Sequence, residues 1–165
     1  MAQFGHSLNN TGGSVTKEGG LFMKILFCTG GSEKSENAIR VTASLARQLA
    51  ADATVLSVGP SHDSISRILG VEFRRSEVTI DTDRAVMKNI SKFAEKGVEI
   101  LKDAGISAVA KISRGEIADE ILKEAEKNDY GFIVMAAKGK PGDRHLLGSV
   151  TRKVLAKAKI PVYVV

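Results

Sequence analysis

From Met23 onward the sequence alternates short apolar runs with longer segments whose apolar residues recur every three or four positions. Short apolar runs are typical of strands buried on both faces, and the longer period is typical of amphipathic helices. Strands that alternate with helices form a parallel sheet, because each strand needs a crossover before the next can run in the same direction. The pattern therefore predicts an α/β fold: an open five-stranded parallel sheet with helices on both faces.

The predicted elements follow from where each period begins and ends. Strands are predicted at residues 24–28, 54–58, 108–112, 131–136 and 161–165, and helices around 33–49, 86–104, 117–125 and 150–158. Ser32 is placed to cap the first helix, and Gly105 is placed to end the second. Pro60 and Gly70 interrupt residues 59–82, so only a loop with a short helix is predicted there.

Residues 1–22 are rich in Gly, Ser, Thr and Asn and show no apolar period. We interpret them as a flexible tail, an expression leader or an over-extended start, and residues 23–165 as one domain. The first residues lack the basic start and apolar stretch of a secretory signal, and no apolar run approaches the roughly 18 residues that span a bilayer. The sequence therefore favours a soluble, cytoplasmic protein with no membrane partner.

The one cysteine, Cys28, lies at the end of an apolar run. A single cysteine can form no internal disulfide. We expect it to pack as a small buried side chain in a reducing compartment.

Positive charge is concentrated near the C-terminus. Residues 136–159 hold seven Lys or Arg residues and one acid, a net charge of +6, which leaves −1 for the rest of the chain. Such a segment favours a phosphate-bearing partner, although solvated helix charges would give the same pattern. Nucleic acid is not expected as a partner, because aromatic residues make up only 5% of the chain and Trp is absent.

Ligands of open parallel sheets bind outside the C-terminal ends of the strands. Of the turns at that end, residues 136–149 carry the richest chemistry. Gly139 permits close backbone approach, and Gly148-Ser149 opens a helix whose N–H groups and dipole favour an anion. Arg152 and Lys153 are expected to strengthen the local positive field. The structural alternative is that the glycines only make turns and Ser149 only caps its helix.

This segment resembles a known signature. Met135-Ala136-Ala137-Lys138-Gly139, eight residues, then Gly148-Ser149-Val150-Thr151 is similar to the phosphate-binding motif of the universal stress proteins. The resemblance extends from residue 23 to residue 165 and includes the Thr-x-Gly-Ser turn after the first strand, Arg114-Gly115, and the strand that begins Ile160-Pro161-Val162.

The resemblance implies a Rossmann-like fold of the adenine-nucleotide-binding type, a homodimer joined through residues 161–165, and a regulatory role in the stress response. The implied ligand is ATP or AMP, with Mg²⁺ if it is ATP, and at most slow ATP hydrolysis. It implies no catalytic or metal-ligating residue. The implied nucleotide contacts are Thr29, Gly30, Gly31, Ser32, Val58, Met135, Ala136, Lys138, Gly139, Gly148, Ser149, Val150 and Thr151.

Three departures from the motif leave two hypotheses open. The first glycine of the signature is Ala136, the spacer holds eight residues rather than nine, and Gly30 stands where the family has an Asp that helps to fix adenosine. One hypothesis is a nucleotide-binding stress protein. The alternative is a dimeric interaction module of the same fold that binds no nucleotide and acts through protein partners.

Other enzyme classes are poorly supported. The sequence has neither a G-x-x-x-x-G-K-[ST] loop nor a G-x-G-x-x-G fingerprint. The turn after the first strand lacks the Asp-Ser pair of the ATP pyrophosphatases and the paired acids of a response-regulator receiver. His6, His62 and His145 are spread over a tail, a connector and a loop, and no spacing suggests zinc.

Overall fold

A computed structural model of the chain describes residues 13–15, 21–69, 77–137 and 147–165. The strands are β1 Gly13–Val15, β2 Leu21–Cys28, β3 Asp52–Gly59, β4 Ala108–Arg114, β5 Phe132–Met135 and β6 Val162–Val164. The helices are α1 Glu33–Leu49, α2 His62–Leu69, α3 Glu77–Asp103, α4 Ile117–Lys127 and α5 Ser149–Lys157.

Five strands form the predicted parallel sheet, in the order β4-β3-β2-β5-β6. The strand β1 pairs antiparallel with the start of β2, with Gly13 opposite Met23 and Val15 opposite Leu21. The sequence predicted no element before Met23, because a strand of three residues is too short for an apolar period to be recognised. The sheet thus matches the predicted fold class, with one short strand added.

Both faces of the sheet are covered, as the apolar runs predicted. Ile25 and Phe27 point into a core built with α1 and α3, whereas Leu26 and Cys28 point into a second core built with α4 and α5. Successive residues of a strand face opposite sides, so a strand buried on both faces needs an uninterrupted apolar run. The burial of Cys28 agrees with its expected role as a core residue, and that burial raises the pKa of its thiol.

The region after β3 is more helical than the sequence indicated. The short helix predicted there is α2, and α3 begins at Glu77, nine residues before the start that the apolar stripe predicted at residue 86. The helix α3 ends where expected, because Gly105 adopts a left-handed φ of 79° that terminates the helix. None of the helices in the described ranges combines the length and apolar character needed to cross a membrane.

The strand order determines where a ligand can bind. From β2 the chain moves outward to β3 and β4 on one side, and it then returns to β5 and β6 on the other. The strands β2 and β5 are therefore neighbours whose following segments diverge, which is the topological switch point of an open α/β sheet. The switch point lies where Cys28 stands opposite Met135.

Candidate functional site

A cavity of about 130 Å³ opens at the switch point. It lies between the turn after β2, the end of β5, the start of α5 and the first turns of α4. Its lining residues are Cys28, Thr29, Gly30, Ser32, Ser35, Leu56, Val58, Ile117, Ile121, Met135, Ala136, Val150 and Thr151.

Hydrogen bonds from the sheet hold the turn after β2 in place. The Thr29 N–H donates to the Leu56 carbonyl at 2.9 Å, and the Ser57 hydroxyl donates to the Thr29 carbonyl at 3.0 Å. The Gly31 N–H donates to the Thr29 hydroxyl oxygen at 3.2 Å. These bonds satisfy both backbone groups of Thr29, so this wall of the cavity has a defined position.

The two glycines of this turn have opposite surroundings. Gly31 adopts a left-handed φ of 73°, and a Cβ placed on it would overlap the ring of Phe93. A Cβ placed on Gly30 would meet nothing within 4 Å. Gly31 is therefore required by the backbone and by packing, whereas Gly30 leaves open space beside the cavity.

The start of α1 confirms the predicted position of its cap but not the expected bond. Ser32 is the N-cap residue, yet its hydroxyl makes no bond to a helix N–H. It lies 3.0 Å from the hydroxyl of Ser35 instead, and the two serines line the cavity together. Ser35 was missed as a site residue because it lies inside the helix rather than in the turn.

The first turn of α5 stands beside the cavity, and its backbone N–H groups have no partner within the helix. Gly148 is the N-cap and has no side chain to bond them, and the first intrahelical bond runs from the Arg152 N–H to the Gly148 carbonyl at 3.0 Å. N–H groups of the first helical turn have no intrahelical partners, and the helix dipole favours an anion near them. Ser149 is the first helical residue, so the alternative in which it caps the helix is wrong.

Thr151 connects this helix to the end of β5. It is 1% exposed, and its hydroxyl donates to the Ala136 carbonyl at 3.3 Å. Ala136 and Thr151 both line the cavity. The segment after β5 and the first turn of α5 are therefore held together at one wall.

Lys153 does not provide the free positive charge that the sequence suggested. Its ammonium lies 2.9 Å from a carboxylate oxygen of Glu116 and 2.8 Å from one of Asp119. The hydrogen bond from Lys153 lowers the pKa of Asp119, and the same contact raises the pKa of Lys153. The expected contribution of Lys153 to a phosphate-binding field is thus wrong, because two carboxylates offset its charge.

The helix α4 forms an apolar wall that the sequence analysis did not assign to the site. Ile117 and Ile121 lie one helical turn apart and both line the cavity, and Ile117 is 44% exposed. Their spacing marked them as a helix stripe, and a stripe is normally attributed to the core. The available signal was the position of α4, which begins directly after a strand end on the ligand-binding side of the sheet.

The structure brings most of the implied nucleotide contacts together. Eight of them line the cavity: Thr29, Gly30, Ser32, Val58, Met135, Ala136, Val150 and Thr151. Gly31 lines a neighbouring cavity of about 120 Å³ beside Phe93. Gly148 and Ser149 stand at the start of α5 without lining the cavity. Lys138 and Gly139 lie outside the described residues, as does His145.

Metal chemistry finds no support in the described ranges. No group of three or more His, Cys, Asp or Glu residues is arranged there to hold a metal ion. His62 lies instead beside the ion pair in which Arg114 donates to Asp83 at 2.6 and 3.1 Å. That pair joins α3 to the end of β4 and lowers the pKa of Asp83.

Comparison with known protein families identifies the family and its fold. The family model described as "Universal stress protein family" matches residues 21–165. The chain belongs to the universal stress protein family. The resemblance in the segments 135–139 and 148–151 is thereby confirmed at the level of the family.

Curated relatives within this family cover nearly the whole chain. The universal stress protein YxiE of Bacillus subtilis is 29% identical over 147 residues, which span 88% of this chain and 99% of YxiE. The universal stress protein MJ0531 of Methanocaldococcus jannaschii is 30% identical over 159 residues, which span 92% of this chain and 87% of MJ0531.

Solved structures of the family share the fold. The structure of MJ0577 is 27% identical, has a TM-score of 0.71, and is matched over 86% of this chain and 94% of its own. A universal stress protein from Archaeoglobus fulgidus, solved in complex with dAMP, is 22% identical with a TM-score of 0.63, over 86% of this chain and 96% of its own. These matches confirm the Rossmann-like sheet with helices on both sides.

Proposed function

We propose that this protein binds an adenine nucleotide, ATP or AMP, in the cavity at the ends of β2 and β5, and that the nucleotide acts as a regulatory ligand in the stress response. The observation that carries the proposal is the shared cavity. It joins the turn after β2, the end of β5 and the start of α5, which are far apart in the sequence.

The start of α5 is suited to the phosphate end of the ligand. Its first-turn N–H groups have no partner in the helix, and Gly148 leaves backbone access that a larger residue would restrict. Anions bind at such helix starts through these N–H groups and the helix dipole. A phosphate there would lie next to Ser149, whose exposed hydroxyl can donate one more hydrogen bond.

The opposite end of the cavity is suited to a flat apolar ring. Leu56, Val58, Ile117 and Ile121 line it, and apart from Ile117 they are buried. Pockets for small ligands combine an apolar lining with a few placed polar groups, which here are the hydroxyls of Thr29, Ser32 and Ser35. The ring and phosphate ends together match an adenine nucleotide.

Structural relatives support this choice of ligand. One family structure is a complex with dAMP, and another universal stress protein was solved in complex with cAMP. Both ligands carry adenine and a phosphate, which are the two chemical groups that we propose for the cavity of this chain.

We further propose that two copies associate through β6. This strand is at one edge of the sheet, and its inner side is paired to β5 through the bonds from the Val165 N–H to the Met135 carbonyl and from the Ala137 N–H to the Val165 carbonyl. On the face opposite Val162 and Val164 it carries Tyr163, which is 50% exposed. An unpaired strand edge is a template for pairing with a second strand. Light scattering of the protein should give a dimer mass, and a monomer would contradict the proposal.

The second candidate function is an interaction module that binds no nucleotide. It is favoured by Gly30, which leaves the turn without a carboxylate, and by the methyl group of Ala136 in place of a glycine hydrogen. Under this hypothesis the cavity stays empty and protein partners carry the function. The two candidates differ in one measurable quantity, the affinity for adenine nucleotides.

Calorimetric titration of ATP and AMP into the wild-type protein and two Ser149 variants tests the proposal. Ser149→Asp places a negative charge at the start of α5, which suits the helix dipole but repels a phosphate. Ser149→Asn has similar size and no charge. We expect binding by the wild-type protein, a loss of about tenfold or more for Ser149→Asp, and a smaller loss for Ser149→Asn.

Unfolding by urea should show that Ser149→Asp is at least as stable as the wild-type protein, so that its weaker binding cannot be attributed to misfolding. Affinity in the millimolar range or absent for the wild-type protein would overturn the nucleotide proposal and favour the interaction module. Equal affinity of all three proteins would show that α5 does not bind the phosphate.

A further inference from the structure

The second edge of the sheet, β4, is exposed over its middle four residues, 109–112. Val109 is 60% exposed and Ile112 is 36% exposed, and Ala110 and Lys111 between them are also exposed. The strand ends the sheet order on this side, next to β3. A strand of seven residues with exposed apolar side chains at an open edge is unusual, since proteins normally shorten, charge or cover such edges.

The charge of Lys111 would ordinarily discourage strand pairing at this edge, but Lys111 forms an ion pair with α4. The Lys111 ammonium lies 2.7 Å from a carboxylate oxygen of Glu124, which is 9% exposed on α4. An edge lysine discourages strand pairing when its charge projects into solvent. Here the charge is held against α4, so the edge remains open to pairing.

The backbone groups that face outward can be assigned from the bonds to β3. The Ser107 carbonyl accepts from the Ala53 N–H at 2.9 Å, and the Gly115 N–H donates to the Gly59 carbonyl at 3.0 Å. Successive residues of a parallel strand direct their backbone groups to opposite neighbours. The N–H and C=O groups of Ala108, Ala110 and Ile112 therefore point away from the sheet.

An acidic groove runs beside this edge. It has a volume of about 360 Å³ and is lined by Val98 and Ala110 together with charged residues of α3. The charged residues are Glu95, Glu99, Lys102 and Asp103, a net charge of −2. Within the described part of the chain, no ion pair joins the three carboxylates to a cation.

We propose that β4 binds an extended segment of a partner protein by strand addition, and that this segment alternates apolar and basic residues. Its backbone would pair with the outward groups of Ala108, Ala110 and Ile112. One set of its side chains would pack beside Val109 on the α4 side, and the other set would face Glu95 and Glu99 on the α3 side. The alternation follows from the two faces of the edge, because Val109 is exposed on one and the carboxylates of α3 flank the other.

A second copy of this chain is a poorer occupant of the same edge. Pairing β4 with another β4 would bring two acidic grooves together, and like charges at an interface oppose association. A basic segment would instead be attracted by each carboxylate of the groove. The proposed homodimer through β6 leaves β4 accessible, because the two strands lie at opposite edges of the sheet.

Fluorescence anisotropy with short labelled peptides tests this proposal on the full-length protein. The probe is a peptide of about eight residues that alternates valine and arginine, long enough to pair along β4. One matched control replaces arginine by glutamate, and the other carries an N-methyl group on every residue, which removes the backbone donors from both edges of the peptide. We expect saturable binding of the probe and at least tenfold weaker binding of both controls.

Variants of the protein locate the binding edge. Glu95→Gln/Glu99→Gln changes exposed side chains, so the fold should persist, and we expect it to weaken binding about three- to tenfold. Tyr163→Arg at the β6 edge should leave the affinity for the probe unchanged. Amide chemical shifts of Ala108, Ala110 and Ile112 should change on addition of the probe.

Three results would overturn the proposal. The first is that the probe does not bind. The second is that the N-methylated peptide binds as tightly as the probe, which would show charge attraction without strand pairing. The third is that the chemical-shift changes fall on β6 instead of β4.

Discussion

The two walls of the cavity are built on different principles. The turn after β2 is held by its own hydrogen bonds and by Gly31 packed beneath Phe93, yet at Gly30 it offers no side chain to a ligand. Among the described residues, the bond from Thr151 to Ala136 joins the start of α5 to the neighbouring wall, and the first-turn N–H groups of α5 have no partner within the helix. The turn after β2 offers the hydroxyls of Thr29 and Ser32 but no charged group, whereas the start of α5 offers backbone N–H groups.

Under the proposed function, this contrast indicates which half of the site keeps the binding groups of the family motif. Phosphate binding at the start of α5 would depend on backbone N–H donors, and most substitutions leave these donors in place. The β2 wall depends on a carboxylate in the family, and a single substitution removes it. The phosphate end of the site is therefore expected to be intact, whereas the adenosine end is expected to be weakened.

The largest expected effect is a loss of stability from a substitution in the turn after β2. In Gly31→Ala the new methyl group would overlap Phe93 at a backbone angle that L-residues disfavour. We expect a loss of stability on the order of 2–4 kcal/mol, from backbone strain together with overpacking. Urea unfolding measures this loss.

Gly30→Ala is the matched control, since its methyl group would meet nothing within 4 Å and Gly30 has no left-handed φ. Its stability should stay within about 0.5 kcal/mol of the wild-type value. Equal losses for the two variants would show that the neighbouring glycines do not differ as described.

The next largest effect is expected when a carboxylate is added to the turn after β2. Gly30→Asp restores the carboxylate that the family has at this turn, and there is open space for it. One polar contact is worth about 0.5–1.5 kcal/mol, so we expect the affinity for AMP to rise by up to about tenfold with little change in stability. Calorimetry of this variant beside Gly30→Asn separates the effect of charge from that of size. An unchanged affinity would mean that the adenosine end does not lie at this turn.

The smallest expected effect concerns the ion pairs beside the α5 wall. The Lys153 ammonium lowers the pKa of Asp119 below its ordinary value of 3.8, so the bridge contributes stability above that pH and loses it as the pH falls through the depressed value. In Lys153→Met the pKa of Asp119 should rise toward 3.8. NMR titration of the carboxyl group measures this shift, and Arg152→Met on the same helix should leave it unchanged.

The sequence predicted the sheet well, because a strand that is buried on both faces appears in the sequence as an uninterrupted apolar run. Residues 25–28 and 132–135 read as apolar runs, and each became a strand covered on both faces. It also predicted that a ligand would bind at the C-terminal ends of the strands. The strand order that makes β2 and β5 neighbours was not predicted.

What it could not predict depends on contacts between elements distant in the chain. The pairing of Lys153 with Glu116 and Asp119 requires α4 and α5 to lie side by side, and no local pattern contains that fact. The apolar wall at Ile117 was not predicted, because the apolar stripe of a helix has the same sequence spacing whether it faces a core or a cavity.

The ring of Phe93 beside Gly31 also gives the molecule a spectroscopic signal of its own. An aromatic ring current displaces the resonances of protons close to it, so the α-protons of Gly31 should appear away from their usual positions. Any ligand that moves the turn after β2 relative to α3 would change that displacement, and one pair of glycine signals would report it without an added label.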